Sequence, residues 1–277
     1  MTQQLSIGII SLFVSFSILV CGCRAPRGEK VTEEFTATYA VEPGTEIAVY
    51  NQNGTVSVST WDGDEVQVYA QKTTRRGEQE LKKVRVDVTV NGKMVIRTVY
   101  DKRNANVSVS YEIRTPAETV VTHVENSNGK IELYGTKGDA VVKTSNGRVD
   151  IGNVDGHVTA ETSNGKIKIT GTEIFRAQTS NGDVEVELLQ VNEDVDIETS
   201  NGSIVLHVAA DLDSDVEMET TNGRVSVHDV EIAMSESSTS HAKGRMGNGG
   251  KRIHAKTSNG NIDVYELKTG EERTRST

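Results

Sequence analysis

A four-residue phrase, Thr-Ser-Asn-Gly, recurs through the second half of this chain. It stands at residues 144–147, 162–165, 179–182, 199–202 and 257–260, with variants at 126–129 and 220–223. The Gly residues from 129 to 223 are separated by 18, 18, 17, 20 and 21 residues. Self-similarity at a nearly fixed short period is typical of repeat architectures. The chain is therefore expected to stack similar units.

Aligning the copies on their Gly sorts the side chains into columns. The second and fourth residues after the Gly are apolar and mostly β-branched, and the residue between them is polar with few exceptions. The fifth residue before the Gly is also apolar. The second-position column is Ile131, Val149, Ile167, Val184, Ile204, Val225 and Ile262. This alternation predicts two short strands per repeat with one apolar face. Gly54 and Gly92 follow the same rule, so they are predicted to mark further repeats.

Two architectures fit such a unit. Asn-Gly between alternating strands is a strong hairpin signal, which would give an antiparallel meander, a barrel or a propeller. A parallel β-solenoid would instead use Asn-Gly as a corner and stack identical positions. The identical Thr-Ser before each Asn-Gly favours the solenoid, because a hairpin has no use for it. A solenoid also buries the apolar face against itself. We therefore predict an all-β parallel β-solenoid of two-strand coils.

Stacked corners would align the asparagines of the phrase. Their amides are expected to hydrogen-bond along the stack in a dry column, as in the amide ladders of other stacked β-structures. The predicted ladder contains Asn128, Asn146, Asn164, Asn181, Asn201, Asn222 and Asn259.

The N-terminal segment indicates export. Residues 1–22 contain no charged side chain, and the apolar run ends in Val20-Cys21-Gly22-Cys23. This end resembles the lipobox of bacterial lipoproteins, with Cys23 as the lipidated residue. The absence of Lys and Arg before the run and the Cys at position 21 depart from that pattern. An uncleaved membrane helix is the alternative, since about 18 apolar residues can just span a bilayer.

These signals divide the chain into four parts. We predict a lipoprotein signal peptide over 1–22, a tether over 23–34, a solenoid domain over 35–268 and a disordered tail over 269–277. Residues 73–83 are expected to form a charged connection with one helical turn. Residues 235–250, rich in Ser, Gly and His, are expected to form a loop.

Sequence motifs for chemistry are mostly incomplete. The net charge of −10 disfavours nucleic acid as a partner. Residues 244–251 do not form a phosphate loop, because Arg245 replaces the first Gly and Arg252 replaces the Ser or Thr. Residues 211–222 lack the Gly and Glu of a calcium loop. His207 and His228 share one column and are expected to stack as neighbours, but no third metal ligand joins them. The outward column three residues after the Gly is mixed and does not cluster carboxylates: Glu132, Asp150, Lys168, Glu185, Val205, Ser226 and Asp263. We predict no metal, no cofactor and no enzymatic activity.

Longer phrases carry a family resemblance. They are Asn-Gly-Thr-Val-Ser-Val over 53–58, Val-Ser-Tyr-Glu-Ile-Arg-Thr-Pro over 109–116, and the repeated array up to residue 260. Over residues 35–267 the chain resembles the bacterial putative-adhesin family of β-strand-repeat proteins. The resemblance implies a β-solenoid outside the cell membrane, and it supplies no catalytic residues.

The predicted function is that of a non-enzymatic, lipid-anchored module of the cell envelope, acting in adhesion, binding or scaffolding. Its expected partners are the membrane, through the N-terminal lipid, and a protein or glycan of the envelope. Two alternatives remain open at this stage. One is a polysaccharide-active enzyme of pectate-lyase-like build, and the other is an envelope-stress sensor that binds a membrane partner.

Overall fold

The computed structural model describes residues 28–102 and 104–267, and in this part the chain is almost entirely β-structure. The predicted signal peptide, Cys23 and the predicted tail over 269–277 lie outside the described residues. Among the residues described, no helix has the length and apolar character needed to cross a membrane.

The described chain contains 23 strands and one helical turn. In the first half they are β1 (Val31–Ala40), β2 (Glu46–Asn53), β3 (Val56–Trp61), β4 (Glu65–Thr74), α1 (Glu78–Leu81), β5 (Val84–Asn91), β6 (Lys93–Tyr100), β7 (Ser108–Pro116), β8 (Val120–Asn128), β9 (Ile131–Tyr134), β10 (Ala140–Asn146) and β11 (Val149–Gly152). In the second half they are β12 (His157–Asn164), β13 (Ile167–Thr170), β14 (Glu173–Asn181), β15 (Val184–Leu188), β16 (Val195–Asn201), β17 (Ile204–Val208), β18 (Ser214–Asn222), β19 (Val225–His228), β20 (Ala233–Ser237), β21 (His241–Met246), β22 (Arg252–Asn259) and β23 (Ile262–Glu266).

The strands form two sheets that face each other across one core. Each repeat contributes its strand before the Asn-Gly corner to a 12-stranded sheet and its strand after the corner to an 11-stranded sheet. Neighbouring repeats pair in parallel and in register, so that Thr144 pairs with Thr162 and Val149 with Ile167. The predicted parallel β-solenoid is therefore confirmed, and the hairpin alternatives are wrong for the repeated array.

The apolar columns line the inside of the solenoid. Ile131, Ile167, Val184 and Ile204 have no exposed surface, and neither does Ala160 on the facing strand. Complete burial of one such Ile or Val contributes about 1.5–3 kcal/mol. Each coil is too thin to bury its own apolar face, so this contribution is realised only when neighbouring coils stack.

The coils do not stack in the order of the chain at either end. Strands β22 and β23 lie between β16 and β17 on one side and β18 and β19 on the other. Near the N-terminus, β2 and β3 lie between β6 and β7 on one side and β8 and β9 on the other. The last coil in sequence is thus inserted one position before the end of the stack.

Three local predictions are wrong. The Asn91-Gly92 pair forms the turn of an antiparallel hairpin between β5 and β6, because Gly92 has φ 69° and no Thr-Ser precedes it to stack on a neighbour. Residues within 235–250 are not a loop but belong to the antiparallel strands β20 and β21, which extend the 12-stranded sheet beyond β18. Strand β1 begins at Val31, inside the predicted tether, because Val31 already pairs with Thr74 at the end of the antiparallel strand β4.

The N-terminal end of the stack is closed by the predicted helical turn. The turn α1 packs on β1, β4 and β5, and Leu81 is buried against them. Lys72 is also buried there, where its Nζ donates to the carbonyl oxygen of Val84 at 3.0 Å and pairs with Glu33 at 2.7 Å.

Inward and outward positions of one coil should respond differently to truncation. Ile167→Ala would leave a cavity inside the stack, and we expect a loss of about 2–5 kcal/mol in the free energy of unfolding. Lys168→Ala should cost less than about 1 kcal/mol, because Lys168 is a surface ion-pair partner and Glu185 keeps a second bond from Lys166. Urea melts of both variants test this, and equal losses would mean that the columns are wrongly assigned.

Candidate functional site

The threonine of each phrase is used by the fold. Its side chain is buried at the corner, and in every copy except Thr144 its hydroxyl donates to the Gly carbonyl of the neighbouring coil. Thr199 donates to Gly182 at 2.9 Å, and Thr257 donates to Gly202 at 2.9 Å. Thr162, Thr179 and Thr220 make the same bond at 3.3, 3.2 and 2.8 Å. These bonds fix the register of one corner on the next.

The asparagines of the phrase form one continuous chain of amide hydrogen bonds. Each Nδ2 donates to the Oδ1 of a neighbouring coil at 2.9–3.0 Å. The series runs through Asn53, Asn128, Asn146, Asn164, Asn181, Asn201, Asn259 and Asn222. The column is exposed to solvent rather than dry, because each Asn stands at the outer edge of its corner. Asn222 bonds to Asn259 and not to Asn201, since the last coil is inserted between them.

The glycine is required by the close approach of successive corners. A Cβ atom at Gly147 would lie 2.0 Å from the carbonyl oxygen of Gly129, and one at Gly165 would lie 1.9 Å from that of Gly147. Real Cβ atoms do not come this close to another atom, so any other residue would separate the corners.

The serine of the phrase has no such role. It lies between the inward Thr and the corner Asn, and its side chain is exposed or half-buried on the outer face of the 12-stranded sheet. Within the described chain, none of these hydroxyls has a hydrogen-bond partner. We call this column the serine row: Ser127, Ser145, Ser163, Ser180, Ser200 and Ser258. The sequence analysis did not predict the serine row, although the same Ser recurs in nearly every copy of the phrase.

A second column runs beside the serine row, two residues earlier in each strand. We call it the charged row: Glu125, Lys143, Glu161, Gln178, Glu198, Lys256 and Glu219 in spatial order. Neighbours along it are paired, with Lys143 Nζ 2.8 Å from Glu161 Oε2 and Gln178 Nε2 donating to Glu198 Oε2 at 3.2 Å. The hydrogen bond from Lys256 lowers the pKa of Glu219, and the same bond raises the pKa of Lys256.

The two rows border a shallow groove of about 400 Å³ that crosses several coils. Its lining consists of polar and charged side chains from β8, β10, β12 and β14. Because neighbouring strands are about 4.8 Å apart, the groove repeats the same hydroxyl at that interval, beside a row whose charge changes from one coil to the next. Such a surface can hydrogen-bond an extended ligand whose own polar groups repeat along its length.

The outer face of the 11-stranded sheet is different. His207 and His228 are not neighbours as expected, because the inserted coil places Tyr265 between them. The Tyr265 ring stacks on His228 with ring centroids 4.5 Å apart, and on His207 at 5.7 Å. On the same face, burial favours the neutral form of Glu185, but hydrogen bonds from Lys166 and Lys168 outweigh it and lower its pKa to about 2.

The residues considered as possible metal or phosphate sites are hydrogen-bonded to other residues of the fold. Asp213 accepts from the backbone N–H of Asn248 at 2.7 Å, so Asp213 anchors the Gly-rich turn over 247–250. Ligating atoms of Asp196, Glu198 and His254 lie within 4.8 Å of one another. His254 Nδ1 is already 2.9 Å from Asp196 Oδ1, so these residues form a cross-strand pair. Sequence reasoning did not connect them, because 58 residues separate Asp196 from His254.

A family profile matches residues 31–265, which include every strand of both sheets except the last residue of β23. The chain belongs to the Toastrack DUF4097 family. The predicted family resemblance is thereby confirmed. No match was found among curated proteins.

Three solved structures illustrate what the Toastrack domain is similar to. One, called a putative cell adhesion protein from Clostridium sporogenes, is 11% identical, with a TM-score of 0.37 and coverage of 86% of this chain and 100% of that chain. A putative adhesin from Parabacteroides distasonis is 10% identical, with a TM-score of 0.41 and coverage of 86% and 97%. A putative lipid binding protein from the same organism is 13% identical, with a TM-score of 0.37 and coverage of 87% and 98%.

The amide chain of the Toastrack domain gives a direct test of corner stacking. In Asn164→Asp, the carboxylate can still accept from Asn181 but cannot donate to Asn146. We expect a loss of about 1 kcal/mol, the usual value of one hydrogen bond, rather than the larger penalty of a buried group. Ser163→Ala, one residue earlier, is the matched control and should melt like the wild type. If both variants unfold at the wild-type urea concentration, the amide chain contributes nothing to stability.

Proposed function

We propose that the protein is a non-enzymatic binding module of the cell envelope, and that its binding face is the groove along the serine row. One observation carries this proposal. The fold uses the Thr, Asn and Gly of each phrase, whereas the Ser is repeated without a partner in the described chain. A residue that is repeated, outward and unused by the fold is available for a ligand.

The chemistry of the groove favours an extended, polyhydroxylated polymer, such as a glycan of the envelope. Serine hydroxyls both donate and accept hydrogen bonds, as do the hydroxyls of a sugar. One coil rises by about 4.8 Å, which is close to the length of one sugar ring in an extended chain. A shallow, open groove gives each ring few contacts, so affinity has to come from several coils acting together.

The lipobox supports an extracytoplasmic position for this module. A lipid on Cys23 would attach the domain through the chain that enters β1. Strand β1 is the edge strand at the N-terminal end of the 11-stranded sheet, so the later coils would extend from the attached end.

Filling the groove should weaken binding without unfolding the domain. The variant Ser145→Gln, Ser163→Gln, Ser180→Gln places three larger side chains on adjacent coils. We expect its affinity for isolated envelope glycan to fall about tenfold or more, because the obstructed contacts lie at the centre of the surface. Sedimentation with the insoluble glycan measures this loss.

The matched control carries Ser57→Gln, Ser59→Gln and Ser226→Gln on the outer face of the 11-stranded sheet. It should bind like the wild type, and both triple variants should keep the wild-type melting temperature. Wild-type binding by the groove variant would contradict the proposed face. Release of soluble sugars in the same assay would instead support the polysaccharide-active alternative.

The anchor has a separate test. Cys23→Ser should leave an unprocessed precursor that no longer incorporates labelled palmitate, whereas Cys21→Ser should be processed and labelled normally. Normal processing and labelling of Cys23→Ser would show that the lipoprotein assignment is wrong.

A further inference from the structure

The most basic part of the chain covers β21, the turn after it and the first half of the inserted strand β22. Between residues 241 and 256 there is no Asp or Glu, although the whole chain has a net charge of −10. The basic residues of this segment are His241, Lys243, Arg245, Lys251, Arg252, His254 and Lys256.

The two strands on either side of β22 in the 12-stranded sheet present acidic side chains. Strand β22 lies between β16, which presents Asp196 and Glu198, and β18, which presents Glu217 and Glu219. His254 pairs in register with Asp196 on one side and Glu217 on the other. Lys256 is likewise flanked by Glu198 and Glu219.

Ion pairs and hydrogen bonds join the basic segment to these two strands and to Glu193 just before β16. Lys256 Nζ bonds to Glu219, and His254 Nδ1 is 2.9 Å from Asp196 Oδ1. Lys251 Nζ lies 2.9 Å from Glu193 Oε2. Two longer pairs complete the set: Arg252 with Glu217 and Arg245 with Asp215, both at 3.5 Å.

Charge therefore disfavours stacking in chain order. If β18 paired directly with β16 in the common register, Glu219 would oppose Glu198 and Glu217 would oppose Asp196. Like charges directly opposite one another on neighbouring strands are destabilising. The apolar columns do not select between the two orders, because Val216 and Ile253 both align with Val195 when their strands pair in register.

The result is a slot between β16 and β18 that accepts a basic coil. Both walls precede β22 in the chain, so they are synthesised before the coil that fills the slot. A turn with Gly247 at φ 52° and Gly249 at φ 76° connects β21 to β22, and it can serve as a hinge once its bonds to Asp213 are released. The slot makes no distinction between its own coil and the identical coil of another molecule.

We propose that the slot also accepts the coil formed by β22 and β23 of a second copy of this chain, so that two copies associate by exchanging it. The exchanged pair has the same contacts as two closed molecules, so protein concentration during folding decides between them. Each serine row would then receive Ser258 from the partner molecule.

Two complementary charge variants of the full chain test the exchange. Lys256→Glu places an acidic residue between acidic walls, and Glu198→Lys with Glu219→Lys places Lys256 between basic walls. In each variant alone, residue 256 has the same charge as both walls of its slot. In a mixed pair, each slot receives the coil of opposite charge from the other variant. After refolding from denaturant, we expect the 1:1 mixture to contain about ten times more dimer than either variant alone. Light scattering with a mass tag on one variant measures the mixed dimer.

Two controls keep the result interpretable. Lys243→Glu makes the same charge change at a residue with no ion pair in the described chain, and it should produce no mixed dimer with the wall variant. A single chain carrying all three substitutions should refold to a monomer, since its slot is matched again. The proposal is overturned if the mixture stays monomeric, or if the triply substituted chain fails to fold, because charge matching would then not hold the coil.

Discussion

The hydrogen bond from a corner Thr hydroxyl to the Gly carbonyl of the neighbouring coil is the constraint on which the stack depends. It is possible only because Gly lets the two backbones approach to a distance that no Cβ permits, as at Gly165 over Gly147. Once the corners are in contact, both strands of each coil are forced into parallel register. The inward Ile and Val columns then lie on one another, and the hydrophobic contribution follows from that register.

The coil itself was predictable because its signals are local. Period-two alternation identified the strands, and the identical phrase before each Asn-Gly distinguished a stacked corner from a hairpin turn. At Gly92 the phrase is missing and the Asn-Gly pair is a hairpin turn, although Gly54 forms a stacked corner with Asn51 and Gln52 in place of Thr and Ser. The same reasoning failed over 235–250, because small and polar residues suggested a loop where β20 and β21 gain their bonds by extending a sheet.

The order of the coils was harder to predict for a physical reason. Coils that carry equivalent apolar residues at their inward positions can exchange places in a stack. The hydrophobic pattern therefore does not determine the order in which the coils stack. The information lies in outward charges, such as acidic Glu198 and basic Lys256, whose pairing becomes meaningful only once the strands are neighbours. The serine row was missed for the opposite reason. Its repetition was visible, but only the structure separates the Ser, which the fold leaves free, from the Thr and Asn, which it uses.

Within one repeat, the inward side chains, the corner residues and the outward side chains thus have different functions. Side chains inside the coil hold the stack together, the corners set its register, and the outer face is free to vary or to bind. The charged row also connects the two proposals, since Glu198, Lys256 and Glu219 border the serine row and determine which coil completes it.

Disulfide trapping of neighbouring coils tests the stacking order most directly. The native cysteines, Cys21 and Cys23, lie before the solenoid and can be replaced by Ser. Ser200 and Ser258 are flanked by in-register pairs on β16 and β22, so their Cα atoms should lie about 5 Å apart, within the usual disulfide range. Ser200→Cys with Ser258→Cys should therefore cross-link quickly under mild oxidation, within one chain or between two. Ser200→Cys with Thr221→Cys, separated by two strand spacings of about 10 Å in total, should not. Efficient cross-linking of residues 200 and 221, with none between 200 and 258, would contradict the account.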